Sequence, residues 1–151
     1  MLINNFWNHI IAIEDDYAFY RKKVLARFML TAAECDILLF LANNPLCDTA
    51  AEISRIRRIP KSQVSLSVNS LYEKGLLCGR KAPNNRKSVH LTPTEAAEPV
   101  IAYGREIQQA FSRMLFEDFT EDEKVEFLHL FKKLAETAEK QKGKEPWRAE
   151  L

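Results

Sequence analysis

The sequence predicts a mainly α-helical chain with one small β hairpin, because three features point the same way. Glycine and proline are scarce, at 4 and 6 of 151 residues, which favours long helices with few irregular loops. Four threonines precede a glutamate by three positions, the capping-box pattern that begins a helix; they are Thr31, Thr49, Thr92 and Thr120. The apolar period changes from helical to strand-like near residue 76 and returns to helical near residue 93.

The individual helices follow from apolar residues at three- and four-residue steps and from clear stop signals. The second helix ends at Asn43, the third ends before Pro60, and Gly75 closes the fourth, as glycine commonly does. The predicted helices cover residues 2–27, 31–43, 49–57, 61–74, 93–116 and 121–142. Two short strands, residues 76–81 and 88–91, flank the turn sequence Ala82-Pro83-Asn84-Asn85, and a polar, flexible tail occupies residues 143–151.

Positive charge is concentrated in the middle of the chain. Residues 49–92 hold nine basic side chains against the acidic Glu52 and Glu73, so this segment carries +7 although the whole chain carries +1. The basic residues are Arg55, Arg57, Arg58, Lys61, Lys74, Arg80, Lys81, Arg86 and Lys87. This asymmetry is typical of a nucleic-acid-binding surface, and a chance run of solvated charge is the alternative that charge alone leaves open.

The third and fourth helices are predicted to form a helix-turn-helix. Their connection, Arg58-Ile59-Pro60, is too short for a parallel arrangement, so the helices should cross steeply. The inward stripe of the fourth helix consists of Val64, Val68 and Leu71. The residues left facing outward are Lys61, Ser62, Gln63, Ser65, Leu66 and Asn69. Amide and hydroxyl groups near a helix N-terminus suit entry into the DNA major groove.

The hairpin that follows carries four cations near its turn, Arg80, Lys81, Arg86 and Lys87. Their expected place is beside or in the adjacent minor groove, where negative potential attracts arginine. A plain solvated turn and an ordinary amphipathic helix are the alternatives, but both features adjoin inside the one strongly basic segment. We therefore expect a winged helix-turn-helix domain over residues 31–92 that binds double-stranded DNA.

Three stretches of this domain together resemble the MarR family of regulators. They are Ile59-Pro60-Lys61-Ser62-Gln63-Val64-Ser65, Leu71-Tyr72-Glu73-Lys74-Gly75-Leu76 and Asn84-Asn85-Arg86-Lys87-Ser88-Val89-His90-Leu91-Thr92. The resemblance extends over nearly the whole chain and implies a dimeric winged-helix regulator, usually a repressor, that releases DNA when a small molecule or an oxidant arrives. The wing departs from the family pattern, because Pro83 and Asn85 stand where an acidic residue and an arginine are usual and Arg86 is displaced by one position.

The flanking helices, residues 1–30 and 93–142, carry more apolar surface than one small domain can bury. Phe6 and Ile10 at one end and Phe127 and Phe131 at the other are examples. Exposed patches of this kind usually mark an interface, so we expect both regions to be dimerisation helices of a homodimer. Two recognition helices would then lie one DNA turn apart, about 34 Å, which favours a pseudo-palindromic site. Packing within the last helix pair must account for part of this surface.

An effector pocket is a further hypothesis, built on residues of or near the first helix: Trp7, His9, Tyr17, Tyr20 and Arg21. An aromatic-lined cleft would accept a small aromatic acid, with Arg21 holding its carboxylate. Plain core and surface roles are the alternative for the same residues. Of the three cysteines, Cys47 in a turn is the best exposed candidate for oxidation, and none pairs as a disulfide or metal site would require.

Other classes of function lack support in the sequence. We find no nucleophile–base pair, phosphate-binding loop or metal-type cluster, so neither an enzyme nor a cofactor or metal is expected. No apolar stretch reaches the roughly 20 residues of a membrane span, and no export signal is evident, so we expect no membrane partner and a cytoplasmic protein. The competing hypothesis is a winged-helix module that binds protein partners and not DNA, which predicts an apolar or acidic fourth helix and an uncharged wing.

Overall fold

The computed structural model describes residues 2–82 and 85–141, with the side chains of residues 5–81 and 88–140. Two units are distinguished, Met1–Phe111 and Ser112–Leu151. The predicted tail at residues 143–151, together with Pro83 and Asn84 of the predicted turn, lies outside the described residues.

Six α-helices and one hairpin make up the described part of the chain, as the sequence predicts. The helices are α1 (Leu2–Phe28), α2 (Ala32–Asn43), α3 (Ala50–Arg57), α4 (Lys61–Glu73), α5 (Glu98–Leu115) and α6 (Glu121–Gln141). The strands are β1 (Leu77–Ala82) and β2 (Asn85–Pro93), paired antiparallel. A short 3-10 turn, Glu95–Ala97, connects β2 to α5.

Capping boxes begin α2, α3 and α6 at the predicted threonines. The backbone N–H of Thr31 donates to the Glu34 carboxylate at 2.7 Å, and that of Thr120 donates to Glu123 at 2.8 Å. In the third box the Thr49 N–H donates to the Glu52 carboxylate, and the Glu52 N–H donates in return to the Thr49 hydroxyl. Each pair satisfies two backbone donors that a helix start leaves without partners.

The fourth predicted box, at Thr92, is wrong because the hairpin continues through it. Thr92 pairs with Cys78 and Pro93 with Leu77, so β2 is longer than the predicted strand 88–91 and helix α5 begins later. Thr94 precedes the 3-10 turn, but its hydroxyl donates to the Gly75 carbonyl at 2.6 Å and makes no cap. Ala82 and Asn85, predicted as turn residues, instead pair with each other as the last residue of β1 and the first residue of β2.

The core of the first unit is built around α2. Its Ile37 and Leu38 are fully buried, and they share one hydrophobic cluster with Ile53 of α3 and Leu71 of α4. The α5 helix approaches α2 closely, since a Cβ atom at Gly104 would lie only 2.5 Å from the Leu39 side chain. This packing holds α3 and α4 in place, and the exposed side of α4 is left free.

The second unit contains the end of α5, the turn after it and α6. An aromatic cluster fills its turn, with Phe116, Phe119 and Phe127 in edge-to-face contacts at centroid distances of 5.2 to 6.0 Å. A stripe of side chains at helical spacing along α6 is exposed in this chain: Phe127, Leu130, Phe131 and Leu134. Among the described residues, none of the helices combines the length and apolar character that crossing a membrane requires.

Candidate nucleic-acid interface

The turn between α3 and α4 is fixed by local contacts. Arg58 ends α3 in the left-handed region, at φ 53°, which turns the chain sharply. The Ser54 hydroxyl donates to the carbonyl of Ile59 at 2.8 Å, so this turn is tied back to α3. Pro60 then precedes α4 and contributes no side-chain cap, so none of the first N–H groups of α4 bonds a capping side chain.

The two sides of α4 divide as the sequence predicts. Its buried residues are Val64, Ser67, Val68 and Leu71. All six predicted contact residues are exposed: Lys61, Ser62, Gln63, Ser65, Leu66 and Asn69. Leu66 is 67% exposed, so it does not serve as a peripheral core residue. The Gln63 amide donates to the Ser67 hydroxyl at 3.3 Å, which orients its amide group along the helix.

The hairpin places two of the four predicted cations within the described side chains. Arg80 and Lys81 are both exposed, opposite His90 and Val89 of β2, and the strand register shifts between Lys81 and Ala82. Arg86 and Lys87 lie on β2, but their side chains are outside the described part of the structure. A role for these four residues in DNA binding stays a prediction.

Contacts from two sides anchor the hairpin to the helices. The Leu91 N–H donates to the Asp48 carbonyl at 2.8 Å, and the Asp48 carboxylate lies 2.7 Å from His90 Nδ1. Gly79 admits the Tyr72 ring of α4, because a Cβ atom at Gly79 would collide with the Tyr72 hydroxyl. Burial first, and then the neighbouring Cys78, raise the pKa of Tyr72, so the phenol keeps its proton near neutral pH. The hairpin is therefore held at a set position beside α4.

A groove of about 580 Å³ separates α4 from the hairpin. Its apolar floor includes Val68 and Val89, while Lys61, Ser65 and Asn69 stand on the α4 side and Ser88 stands on the hairpin side. Thr49, Ala50 and Ala51, at the start of α3, also line this groove. A channel with donors on both edges can accommodate a sugar–phosphate strand between two DNA grooves.

The predicted effector residues do not all meet. Tyr17 and Tyr20 pack on Phe111, with centroid distances of 5.1 and 5.5 Å, and Arg21 lies next to them. Trp7, 61% exposed, contacts Phe6 instead, and His9 is exposed two turns before Tyr17. The structure thus brings together Tyr17, Tyr20 and Arg21, and leaves Trp7 and His9 apart from them.

Arg21 already has a carboxylate partner. Its Nη1 atom lies 2.8 Å from both oxygens of Asp36 on α2, and its Nε is buried with no hydrogen-bond partner among the described residues. Beside Tyr17 lies a cavity of about 110 Å³, lined also by Asp36, Asn43, Arg57 and Gln108. This volume is below the roughly 300 Å³ at which small-molecule pockets usually begin.

The cysteines rank differently from the sequence expectation. Cys78 on β1 is the most exposed of the three, whereas Cys47 is half-buried and Cys35 is fully buried. Burial, and then the charge of Asp36, raise the pKa of Cys35 to about 12, which makes it unreactive. In the described ranges, His, Cys, Asp and Glu side chains form no group of three that would hold a metal ion.

Comparison with known proteins points to one family. A family model described as the MarR family matches residues 30–88, which span α2 to the first half of β2. No curated protein matches the chain in sequence.

Solved structures extend the likeness to the flanking helices. A MarR transcriptional regulator from Methanosarcina mazei Go1 is 16% identical, with a TM-score of 0.78 over 91% of this chain and 98% of that chain. A mutant MarR from E. coli complexed with operator DNA is 18% identical, with a TM-score of 0.68 over 86% of this chain and 93% of that chain. Bordetella bronchiseptica BpsR, whose DNA binding is regulated by 6-hydroxynicotinic acid, is 17% identical, with a TM-score of 0.68 over 87% of this chain and 98% of that chain. At these identities the likeness establishes the fold.

Proposed function

We propose that this chain is a winged helix-turn-helix, DNA-binding transcription regulator of the MarR family, and that it acts as a homodimeric repressor that a small molecule releases from its site. The observation that carries the proposal is the adjacency of two features. The exposed polar side of α4 lies directly beside a hairpin that presents Arg80 and Lys81. Both belong to the segment that carries +7.

Each feature has its own part in DNA binding. The N-terminal half of α4 enters the major groove, where Gln63 and Asn69 suit adenine edges, Leu66 suits a thymine methyl group, and Lys61 suits phosphate. The hairpin cations Arg80, Lys81, Arg86 and Lys87 contact the backbone and the minor groove. The groove between α4 and the hairpin supports this division, since one phosphate strand must pass between two neighbouring DNA grooves.

The apolar stripe of α6 supports a homodimer. Leu130 and Leu134 are half exposed in this chain, and Phe6 and Ile13 of α1 are likewise exposed. A second copy would bury such surfaces and set two α4 helices about 34 Å apart, the distance between half-sites of a pseudo-palindrome.

Release by an effector is supported by one solved structure of the same fold. 6-Hydroxynicotinic acid, which regulates BpsR, is an aromatic carboxylic acid. A cationic aromatic cluster that could take such an acid is formed by Tyr17, Tyr20 and Arg21. A carboxylate ligand would have to displace Asp36 from Arg21. Such displacement would loosen α1 from α2, which gives a ligand a means of changing the DNA-binding domain.

Selection of bound duplexes from a random pool tests the function. We expect the protein to enrich one pseudo-palindromic motif, and millimolar 6-hydroxynicotinic acid or salicylate to release that duplex in a fluorescence anisotropy assay. If no motif is enriched and binding does not weaken with salt, the chain is instead a winged-helix module for protein partners. Enrichment without release by either acid would support a sequence-specific DNA-binding regulator and reject these two acids as its effectors.

A further inference from the structure

A single ammonium group joins the far end of α4 to two other helices. Lys74 is the residue that caps the C-terminus of α4. Its Nζ atom donates to both carboxylate oxygens of Glu34, at 2.9 Å each, and to the Met29 carbonyl at 3.1 Å. Met29 lies in the turn after α1, and Glu34 lies in the first turn of α2.

Glu34 is built firmly into this junction. Its side chain is only 2% exposed, and it also accepts the backbone N–H of Thr31 at 2.7 Å. Burial raises the pKa of this carboxyl, but hydrogen bonds from Ser70, Lys74 and Thr31 outweigh burial and lower the pKa below its ordinary value. Glu34 therefore stays ionised near neutral pH, and Lys74 is the cation that compensates it.

The hydrogen-bonding capacity of Lys74 argues against a direct contact with DNA. An ammonium group has three N–H donors, and the two Glu34 oxygens and the Met29 carbonyl use three. Lys74 also lies thirteen residues after Lys61, which is about 20 Å along the helix from the end proposed to enter the groove.

We propose that Lys74 is a positioning residue: it fixes the orientation of α4 against the junction of α1 and α2, so that specific DNA recognition depends on a side chain that touches no DNA. The inference rests on the proposed function, because it needs α4 to read bases and α1 to belong to the dimer. In the proposed dimer, α1 sets where the partner copy lies. A change in the angle between α4 and α1 would therefore change the spacing of the two recognition helices. That spacing must match the DNA turn.

The test compares Lys74→Met, which keeps the aliphatic chain, with Glu34→Gln, which keeps the capping box but removes the charge. Affinities are measured by anisotropy for the selected duplex and for a scrambled duplex over several salt concentrations. We expect both variants to lose about tenfold in the ratio of specific to non-specific affinity, with the salt dependence unchanged. In the Glu34→Gln background, Lys74→Met should add little, because the two residues act as one unit.

Lys61→Met is the matched control, since it removes an exposed ammonium from the other end of the same helix. It should weaken binding to both duplexes and reduce the salt slope by about one. A similar fall in slope for Lys74→Met would show a phosphate contact and overturn the inference. The inference would also be overturned if folded Lys74→Met and Glu34→Gln kept the wild-type ratio of specific to non-specific affinity and only their melting temperature fell. A wild-type protein without any preferred duplex would instead refute the proposed function.

Discussion

Replacing Arg80, Lys81, Arg86 and Lys87 together by alanine is expected to weaken binding to every duplex by roughly 100- to 1,000-fold near physiological salt. Each cation that neutralises a phosphate contributes about 0.9 to the slope of log affinity against log salt, so the slope should fall by about 3 to 4. Because this term carries no base information, the preferred motif should stay the same. Anisotropy titrations of a labelled duplex at several salt concentrations measure both quantities.

The matched control removes four cations from α6: Lys124, Lys132, Lys133 and Lys140. It changes the net charge of the chain by the same amount, but it leaves the hairpin intact. We expect its salt slope to equal that of the wild type. An unchanged slope in the hairpin variant, or an equal fall in the control, would refute the role of the hairpin.

The double variant Leu130→Glu, Leu134→Glu introduces charge into the α6 stripe and is expected to weaken the proposed homodimer by at least about 100-fold. Both side chains are half exposed in this chain and lie one helical turn apart. A carboxylate buried at an apolar interface without a partner costs several kcal/mol, which corresponds to orders of magnitude in the dimer dissociation constant. Sedimentation equilibrium over a range of protein concentrations measures it.

Val125→Glu is the control for this pair. Val125 is 69% exposed on the same helix, but it lies outside the stripe formed by Phe127, Leu130, Phe131 and Leu134. We expect this variant to remain dimeric. If the double variant is as dimeric as Val125→Glu, the α6 stripe is not the interface.

The elements were predictable from sequence wherever a local pattern decided them. The capping boxes at Thr31, Thr49 and Thr120 and the inward stripe of α4 depend on neighbours within four residues. The same local pattern failed at Thr92, because pairing with Cys78, fourteen residues earlier, extends the hairpin through it. A pairing partner at that distance leaves no mark in the local sequence.

The contacts that position the site could not be predicted, since their partners are distant in sequence. Asp48 and His90 are separated by 42 residues and Glu34 and Lys74 by 40, with no motif that links them. Arg21 was expected to hold a ligand carboxylate, but Asp36, fifteen residues away, supplies one from within the fold. Sequence periodicity thus predicts which side of α4 is exposed, whereas the ion pairs that hold the site can be identified only from the structure.

The most direct test of base reading by α4 is to compare the motifs selected from a random duplex pool by the wild type and by Gln63→Ala. Gln63 is exposed near the start of α4, and an amide contact to a base contributes about 1–3 kcal/mol of discrimination. We predict that the variant loses its preference at one position of each half-site and keeps the rest, while Glu73→Ala, at the far end of the helix, selects the wild-type motif. Identical motifs for wild type and Gln63→Ala would contradict base reading at this position of α4.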